Sequence, residues 1–321
     1  MKHQLYSSSI ALKYLLVLML WLCTSLNAQV KNGFDLKDAL IPVDQIVSGG
    51  PAKDGIPAID QPRFVQVADA DFLQPDDMVL GLTRQGLARA YPLRVLNWHE
   101  VVNDQLESEA ITITYCPLCG TGVAFDRRVK GRLLSFGVSG LLYNNDVLLY
   151  DRQTSSLWSQ MMAQAISGPM KGQRLTMVPV THTTWSDWRH SHTQTQALST
   201  DTGHRRAYDR DPYAGYESSA DVMFPLSFRS AGYHPKERVL GVQIGTQTKA
   251  YPFIELSKTN GVITDTLANT MLTIRFDHLA GRATVQASDG TQWPAVVGYW
   301  FAWYSFHPDT AVFRVAASRL P

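Results

Sequence analysis

Cys116 and Cys119, spaced two apart in Cys116-Pro117-Leu118-Cys119-Gly120, are the side chains of this sequence best suited to covalent or metal chemistry. Such a pair can cycle between dithiol and disulfide, or present two thiolates to a soft or borderline metal. A bridge across two intervening residues closes too small a loop to stabilise much, so redox exchange or metal ligation is the better reading than a structural staple. Residues 111–115 ahead of the pair and 121–125 behind it alternate and carry β-branched residues, which places the thiols in a tight turn between two strands. Gly120, Gly122 and the β-branched neighbours disfavour a helix after Cys119, so the dipole that acidifies thioredoxin-type thiols is not expected. His99 and Glu100 stand upstream in Asn97-Trp98-His99-Glu100, on a short helix or its exit loop. A neutral imidazole at His99 can take a thiol proton or bind a metal, and Glu100 can orient it or act as acid or base.

The C-P-x-C-G turn resembles the knuckle of rubredoxins and zinc ribbons, whose backbone N–H groups point at the sulfurs. A complete structural zinc site needs two more ligands. There is no second C-x-x-C, so they must come from His or a carboxylate, with His99 the first choice for a copper, zinc or iron ion beside Cys116 and Cys119. Further on, Tyr143-Asn144-Asn145-Asp146, Asp151-Arg152 and Trp158-Ser159-Gln160 supply polar side chains dense enough to line a pocket. Asn144-Asn145-Asp146 is equally a turn sequence, and Asp151-Arg152 an ordinary ion pair. Met161, Met162 and Met170 offer thioethers that suit Cu(I), although such methionines more often fill core gaps.

The elements that hold these residues are suggested by an internal match. Val79-Leu80-Gly81-Leu82 and Ala90-Tyr91-Pro92-Leu93 correspond to Val239-Leu240-Gly241-Val242 and Ala250-Tyr251-Pro252-Phe253 without a gap, and Trp185, Trp188, His192 and Thr195 have the spacing of Trp300, Trp303, His307 and Thr310. Each Trp-x-x-Trp places two indoles on one face of a short helix. The fold expected is α+β and β-rich, with two related halves packed into one compact unit. Residues 29–77 form an irregular N-terminal arm, 78–198 the first half with an insertion of about 45 residues, 199–238 a connecting segment, and 239–321 a second half without cysteines. Cys116, Cys119, His99 and Glu100 have no reactive counterpart in that second half, which marks them as candidates for chemistry. His192 and His307, present in both, read as scaffold, and His182 as a weak ligand candidate.

Residues 1–28 have the form of a secretory signal peptide, with Lys2 and Lys13 ahead of the apolar run 14–23 and a small-residue end at Ala28. The mature chain is therefore expected in the periplasm, with Cys116 and Cys119 as its two cysteines and no integral membrane segment. The 29 basic and 28 acidic residues leave no excess of positive charge for phosphates, which speaks against nucleic acid, and 45% hydrophobic residues exclude a disordered chain. Asp209 and Asp211 do not make a calcium loop, since Tyr213 and Ala214 occupy the next ligand and glycine positions. No G-x-S-x-G, phosphate loop or H-E-x-x-H is present.

Taken together, Ala90-Tyr91-Pro92-Leu93, Asn97-Trp98-His99-Glu100, Thr114-Tyr115-Cys116-Pro117-Leu118-Cys119-Gly120-Thr121-Gly122, Phe136-Gly137-Val138-Ser139-Gly140-Leu141-Leu142-Tyr143-Asn144 and Asp151-Arg152-Gln153-Thr154 resemble the bacterial family DUF3179. The resemblance runs from about Ile56 to the C-terminus. That family has no established activity, and relatives in which selenocysteine replaces a cysteine of the motif imply redox chemistry at Cys116 and Cys119. The expectation is a thiol/disulfide-type oxidoreductase in which His99 and Glu100 manage protons, acting on a redox partner or small molecule. A metal-binding protein with ligands Cys116, Cys119 and His99, and a binding module without chemistry, are the other readings.

Overall fold

The structure, a computed structural model, describes residues 30–316, and the proposed signal peptide with Cys23 lies outside them. The chain is β-rich, and the α-helices among the described residues run from four to seven residues. Residues 78–84 and 87–92 fold as a hairpin, Met78–Arg84 against Leu87–Pro92, which buries Val79 to Leu82 on one strand and Ala90 to Pro92 on the other. Thr181–Thr184 pairs with the first of these strands, and Gln196–Leu198 runs parallel to the second.

The helix Trp185–Ser191 lies across this hairpin. Thr184 caps it by accepting from the Asp187 N–H, as the first-turn position of Asp187 suggests. Trp188 lies directly on Gly81, where an added Cβ would come within 2.2 Å of the indole. Its Nε1 donates to Thr195 Oγ1 at 2.8 Å, and His192 stacks on it at 4.0 Å. Residues 238–312 contain the same constellation. Arg238–Ile244 pairs with Gln247–Pro252, Trp303 of the helix Trp300–Phe306 covers Gly241, where an added Cβ would again come within 2.2 Å of the indole, and Trp303 Nε1 donates to Thr310 Oγ1 at 3.0 Å. Replacing Gly81 or Gly241 with Ala is expected to cost about 3 kcal/mol at either position, because a rigid indole cannot yield as a flexible side chain does. Urea unfolding of the two variants checks this, and a loss below about 1 kcal/mol in either would contradict the close packing.

Two further sheets frame the thiols. An eight-stranded sheet runs from Ala311–Val312 through the second hairpin and Val296–Tyr299 to Thr121–Asp126, Glu109–Cys116 and Val101–Leu106, so the strands flanking the cysteines are continuous with the C-terminal part of the chain. Residues 136–165 add Phe136–Tyr143, Asp146–Asp151, Leu157–Ser159 and Gln164–Ala165 as a separate sheet. The arm is less irregular than its composition suggests. Ile46–Ser48 completes the sheet of the inserted region, Phe64–Gln66 extends the first hairpin's sheet, and Ile59 bridges Val102, each covering an otherwise open strand edge. No regular element occurs from 199 to 237, as the polar composition of the connecting segment suggests. Among the described residues no helix is long and apolar enough to cross a membrane.

Candidate functional site

The cysteine turn forms because Glu109–Cys116 and Thr121–Asp126 pair in register up to Cys116 opposite Thr121, leaving four residues to reverse the chain. The Cys119 N–H donates to Cys116 O at 3.2 Å, and Gly120 sits at φ +62° under the Tyr299 ring, where a Cβ would lie 3.0 Å away. Only glycine meets both demands without strain. Tyr299 N–H then donates to Cys119 O at 2.8 Å, fixing the turn to the neighbouring strand.

Both cysteines are free thiols with almost no exposed surface. The Cys116 thiol donates to Asn145 O at 3.4 Å. Asn144 and Asn145, at φ +53° and +66°, make the two-residue turn between Phe136–Tyr143 and Asp146–Asp151, and this turn delivers the next residue, Asp146, to the thiols. The Sγ atoms of Cys116 and Cys119 and a carboxylate oxygen of Asp146 all lie within 4.8 Å of one another. Asp146 is held there by the Met161 N–H, which donates to Oδ2 at 3.0 Å. Beside it Thr121 Oγ1 donates to Gln160 Oε1 at 2.7 Å, and Gln160 Nε2 donates to Thr114 Oγ1 at 2.8 Å.

Four acidic groups share this interior. Burial pushes the Asp146 carboxyl up to about 7, against donations from the Met161 and Val147 N–H groups that favour its anion. Burial, and then repulsion from Asp146, push Glu100 up to about 8. Burial raises both thiols, Cys119 further than Cys116, because the Cys119 S–H donates to the Cys116 sulfur and so favours the Cys116 thiolate.

His99 and Glu100 part company. Glu100 has φ +58°, a costly conformation for a residue with a Cβ, and its buried carboxyl is within electrostatic reach of Asp146 and Cys116. His99 belongs to another network. Its Nδ1–H donates to Pro57 O at 2.7 Å, so Nε2 accepts from the Tyr208 hydroxyl at 2.6 Å, and burial lowers the ring to about 4. The structure does not bring His99 together with Cys116, Cys119 and Asp146. Both its nitrogens are engaged elsewhere, and the carboxylate of Asp146 stands in the place it was assigned.

The polar residues of the inserted region divide in the same way. Asn145 and Gln160 reach the thiol cluster. Asn144 and Asn145 also clamp the connecting segment, Asn145 exchanging bonds of 2.8 Å with Phe224 and Asn144 accepting from the Ser227 N–H at 2.7 Å. Tyr143 stacks edge-on against Phe306. Asp151 accepts from Thr154 and from Trp158 Nε1 at 2.9 Å, a buried support for the hairpin, and Ser159 Oγ accepts from the Met162 N–H at 3.3 Å. Arg152 pairs with Asp60 of the arm. His182 Nε2 bonds Gly122 O at 3.2 Å, and the methionines Met161 and Met170 pack in the core.

The connecting segment supplies the part that sequence reasoning missed. Tyr213 and Tyr216 pack against the thiol core, and Lys236 is buried with its Nζ 3.6 Å above the Tyr216 ring. This ammonium donates to Ser219 O at 3.2 Å and to Asp221 O, and its field favours a thiolate at Cys119. The sequence signal available for Asp146 was an acid opening the apolar run Val147-Leu148-Leu149. For Lys236 there was none. Outside this cover lies a cleft of about 280 Å³ that reaches Pro117 of the cysteine turn.

A family model described as a protein of unknown function, DUF3179, matches residues 53–292. No curated protein and no solved structure matches the chain.

Proposed function

The chain belongs to the DUF3179 family, and on that premise we propose that it is an exported, periplasmic thiol-dependent redox protein whose working pair is Cys116 and Cys119, with Asp146 as proton acceptor. The observation that carries the reading is the buried cluster of two thiols and one carboxyl within 4.8 Å. It supplies a nucleophile, a resolving thiol and a base, and needs nothing added. Asp146 takes the Cys116 proton. The thiolate attacks one sulfur of a low-molecular-weight disulfide, forming a mixed disulfide and expelling a thiolate that is reprotonated. Cys119 then gives up its proton, attacks Cys116 Sγ and releases the second thiol. Two electrons pass from the protein dithiol to the substrate, two thiols leave, and one intramolecular disulfide remains.

Export rests on the form of residues 1–28. Descent of the two halves from one repeated unit is supported by the paired packing of Trp188 on Gly81 and Trp303 on Gly241. A thiol count on anaerobically purified mature protein tests the mechanism. Two thiols after reduction and none after mild oxidation, with a mass lower by two hydrogens, are expected, and persistent free thiols under oxidant would refute it.

The same cluster favours one second reading, a metal site. Two sulfurs and one carboxylate are three ligands of a tetrahedral set for zinc, copper or iron, and a cation would relieve the mutual repulsion of Cys116, Cys119, Asp146 and Glu100. Its ligand would be Asp146 in place of His99. Elemental mass spectrometry decides between the two, since near-stoichiometric metal lost in a Cys116→Ser, Cys119→Ser variant selects the metal reading.

A further inference from the structure

With 2% and 0% of their surface exposed, Cys116 and Cys119 meet a substrate only if part of their cover moves. Most of that cover is held in sheets. Phe136–Tyr143 with Asp146–Asp151, and Val296–Tyr299, are locked by backbone ladders, whereas the connecting segment has no regular element. From 209 to 221 this segment buries a single residue, Tyr216, which stands with the half-buried Tyr213 against the thiols. It is undercut on two sides. The cleft of about 280 Å³ lies between Asp209 to Glu217 and the body at Arg94, Tyr115 and Pro117, and a hollow of about 320 Å³ lies between Pro212 with Tyr213 and the body at Ile56 and Trp98. Both ends are fixed, by Tyr208 donating to His99 Nε2 at 2.6 Å and by the Phe224 N–H donating to Asn145 Oδ1 at 2.8 Å. Between them the backbone bonds are local, from Ala214 to Asp211, Tyr216 to Tyr213 and Ser219 to Tyr216, and would travel with the segment. Four bonds reach across from outside it. Asn97 Nδ2 donates to Asp211 at 3.1 Å, Trp98 Nε1 to Arg210 O at 3.3 Å, and Lys236 Nζ, 3.6 Å above the Tyr216 ring, to Ser219 O at 3.2 Å and to Asp221 O. Glu217 is attracted to Arg238 without forming an ion pair among the described residues.

We propose that residues 209–221 form a lid over the two thiols, anchored at Tyr208 and Phe224, which swings off the body to admit a substrate and on closing returns Tyr213 and Tyr216 as its plugs. A segment with little buried apolar surface, few bonds to its surroundings and hollows beneath it opens far more often than the whole protein unfolds. Closure shuts water out of the site and holds the thiols in the low-dielectric interior. Its use as a substrate gate rests on the redox reading above, whereas the opening itself rests on the contacts of the segment alone.

The test reads access to the thiols of the reduced full-length mature protein with two reagents that share one reactive group, iodoacetamide and its bulky fluorescein derivative. Each rate of thiol loss is divided by the rate of the same reagent with a small free thiol. The amount of thiolate is common to both reagents, so comparing the two protection factors isolates access. A lid that opens as a unit protects against both to the same extent. That protection should change little with urea added below the unfolding transition, because opening exposes a small part of the surface that unfolding exposes. Asn97→Ala with Trp98→Phe removes two exposed bonds to the lid and leaves Lys236, Tyr213 and Tyr216 in place. It should lower both protection factors by about tenfold, the worth of two such hydrogen bonds. Three results would overturn the lid. The bulky reagent may be excluded where iodoacetamide enters, which means seepage through fixed gaps; protection can fall with urea as steeply as global stability, which means that unfolding is the route; or the double variant can match wild type. Disulfide exchange is measured separately on the same protein. Thiols that are reached through the lid yet reduce no disulfide would end the redox reading and leave the lid standing.

Discussion

Asp146→Asn is expected to move two reactivities of the site in opposite directions. The first is alkylation of Cys116 by iodoacetamide, which follows the amount of thiolate. Below the Asp146 pKa of about 7 both proteins carry a neutral side chain at 146, and the rate should climb tenfold per pH unit in each. Above about 7 the wild-type carboxyl ionises. Its charge then holds the Cys116 proton in place as fast as rising pH removes it, so the wild-type rate should level off. The asparagine variant has no such charge and should keep climbing, passing wild type by about tenfold one unit above the bend.

The second reactivity is turnover with a disulfide, in which the mixed disulfide at Cys116 is resolved only when Cys119 in turn loses its proton to the neighbouring carboxylate. With its acceptor gone, the variant should be slower by about a hundredfold. Faster alkylation with slower exchange cannot come from a general loosening of the fold, which would raise both. Two profiles of identical shape would remove Asp146 from the mechanism. Glu100 adds a shallower bend near 8, which Glu100→Gln should abolish.

How far the sequence foretold this site depends on how far along the chain each partner lies. The turn at Cys116 to Cys119 was legible because its determinants, the alternating strands and Gly120, are local. The Trp-x-x-Trp helices were legible because the periodicity lies within seven residues, and Gly81 and Gly241 had to be small to receive their indoles. Asp146 lies 30 residues beyond Cys116. It reaches the thiols only because the Asn144-Asn145 turn sets a register that no local pattern specifies. Tyr216 and Lys236 come from a segment with no regular structure, whose path is fixed by the bonds that Asn144 and Asn145 make to it. His99 misled because adjacency in sequence suggested a shared task with Glu100. The positive φ of Glu100 turns the chain between them, and the two side chains serve different surroundings.

Stability of the metal-free protein should peak near pH 6.5 and fall on both sides, which is unusual on the alkaline side for a protein with a near-zero formal charge. The acid limb comes from histidines. Burial lowers His99 and His307 from 6.5 to about 4 and His182 to about 3, so the unfolded chain binds three protons that the native protein refuses as pH drops below 6.5. Glu100 and Asp146 act with the opposite sign. Their native values of about 8 and about 7 exceed the ordinary 4.5 and 3.8, so the native protein holds two protons that the unfolded chain releases. Between about 4.5 and 6.5 the histidines outnumber the carboxyls by one, and stability rises with pH by about 1.4 kcal/mol per unit. Above 6.5 the histidines are neutral in both states. Only the carboxyls remain, and stability should drop by about 2 kcal/mol by pH 8, with mutual repulsion of the pair limiting the total. Urea unfolding in chelator at pH 5, 6.5 and 8 measures this curve. Asp146→Asn with Glu100→Gln should flatten the alkaline limb and leave the doubly substituted protein more stable than wild type at pH 8. A wild-type curve that is level or rising from 6.5 to 8 would mean that the two carboxyls are hydrated or compensated by a cation. In that case the buried dithiol with a neutralised acid beside it could not be the resting state of the site.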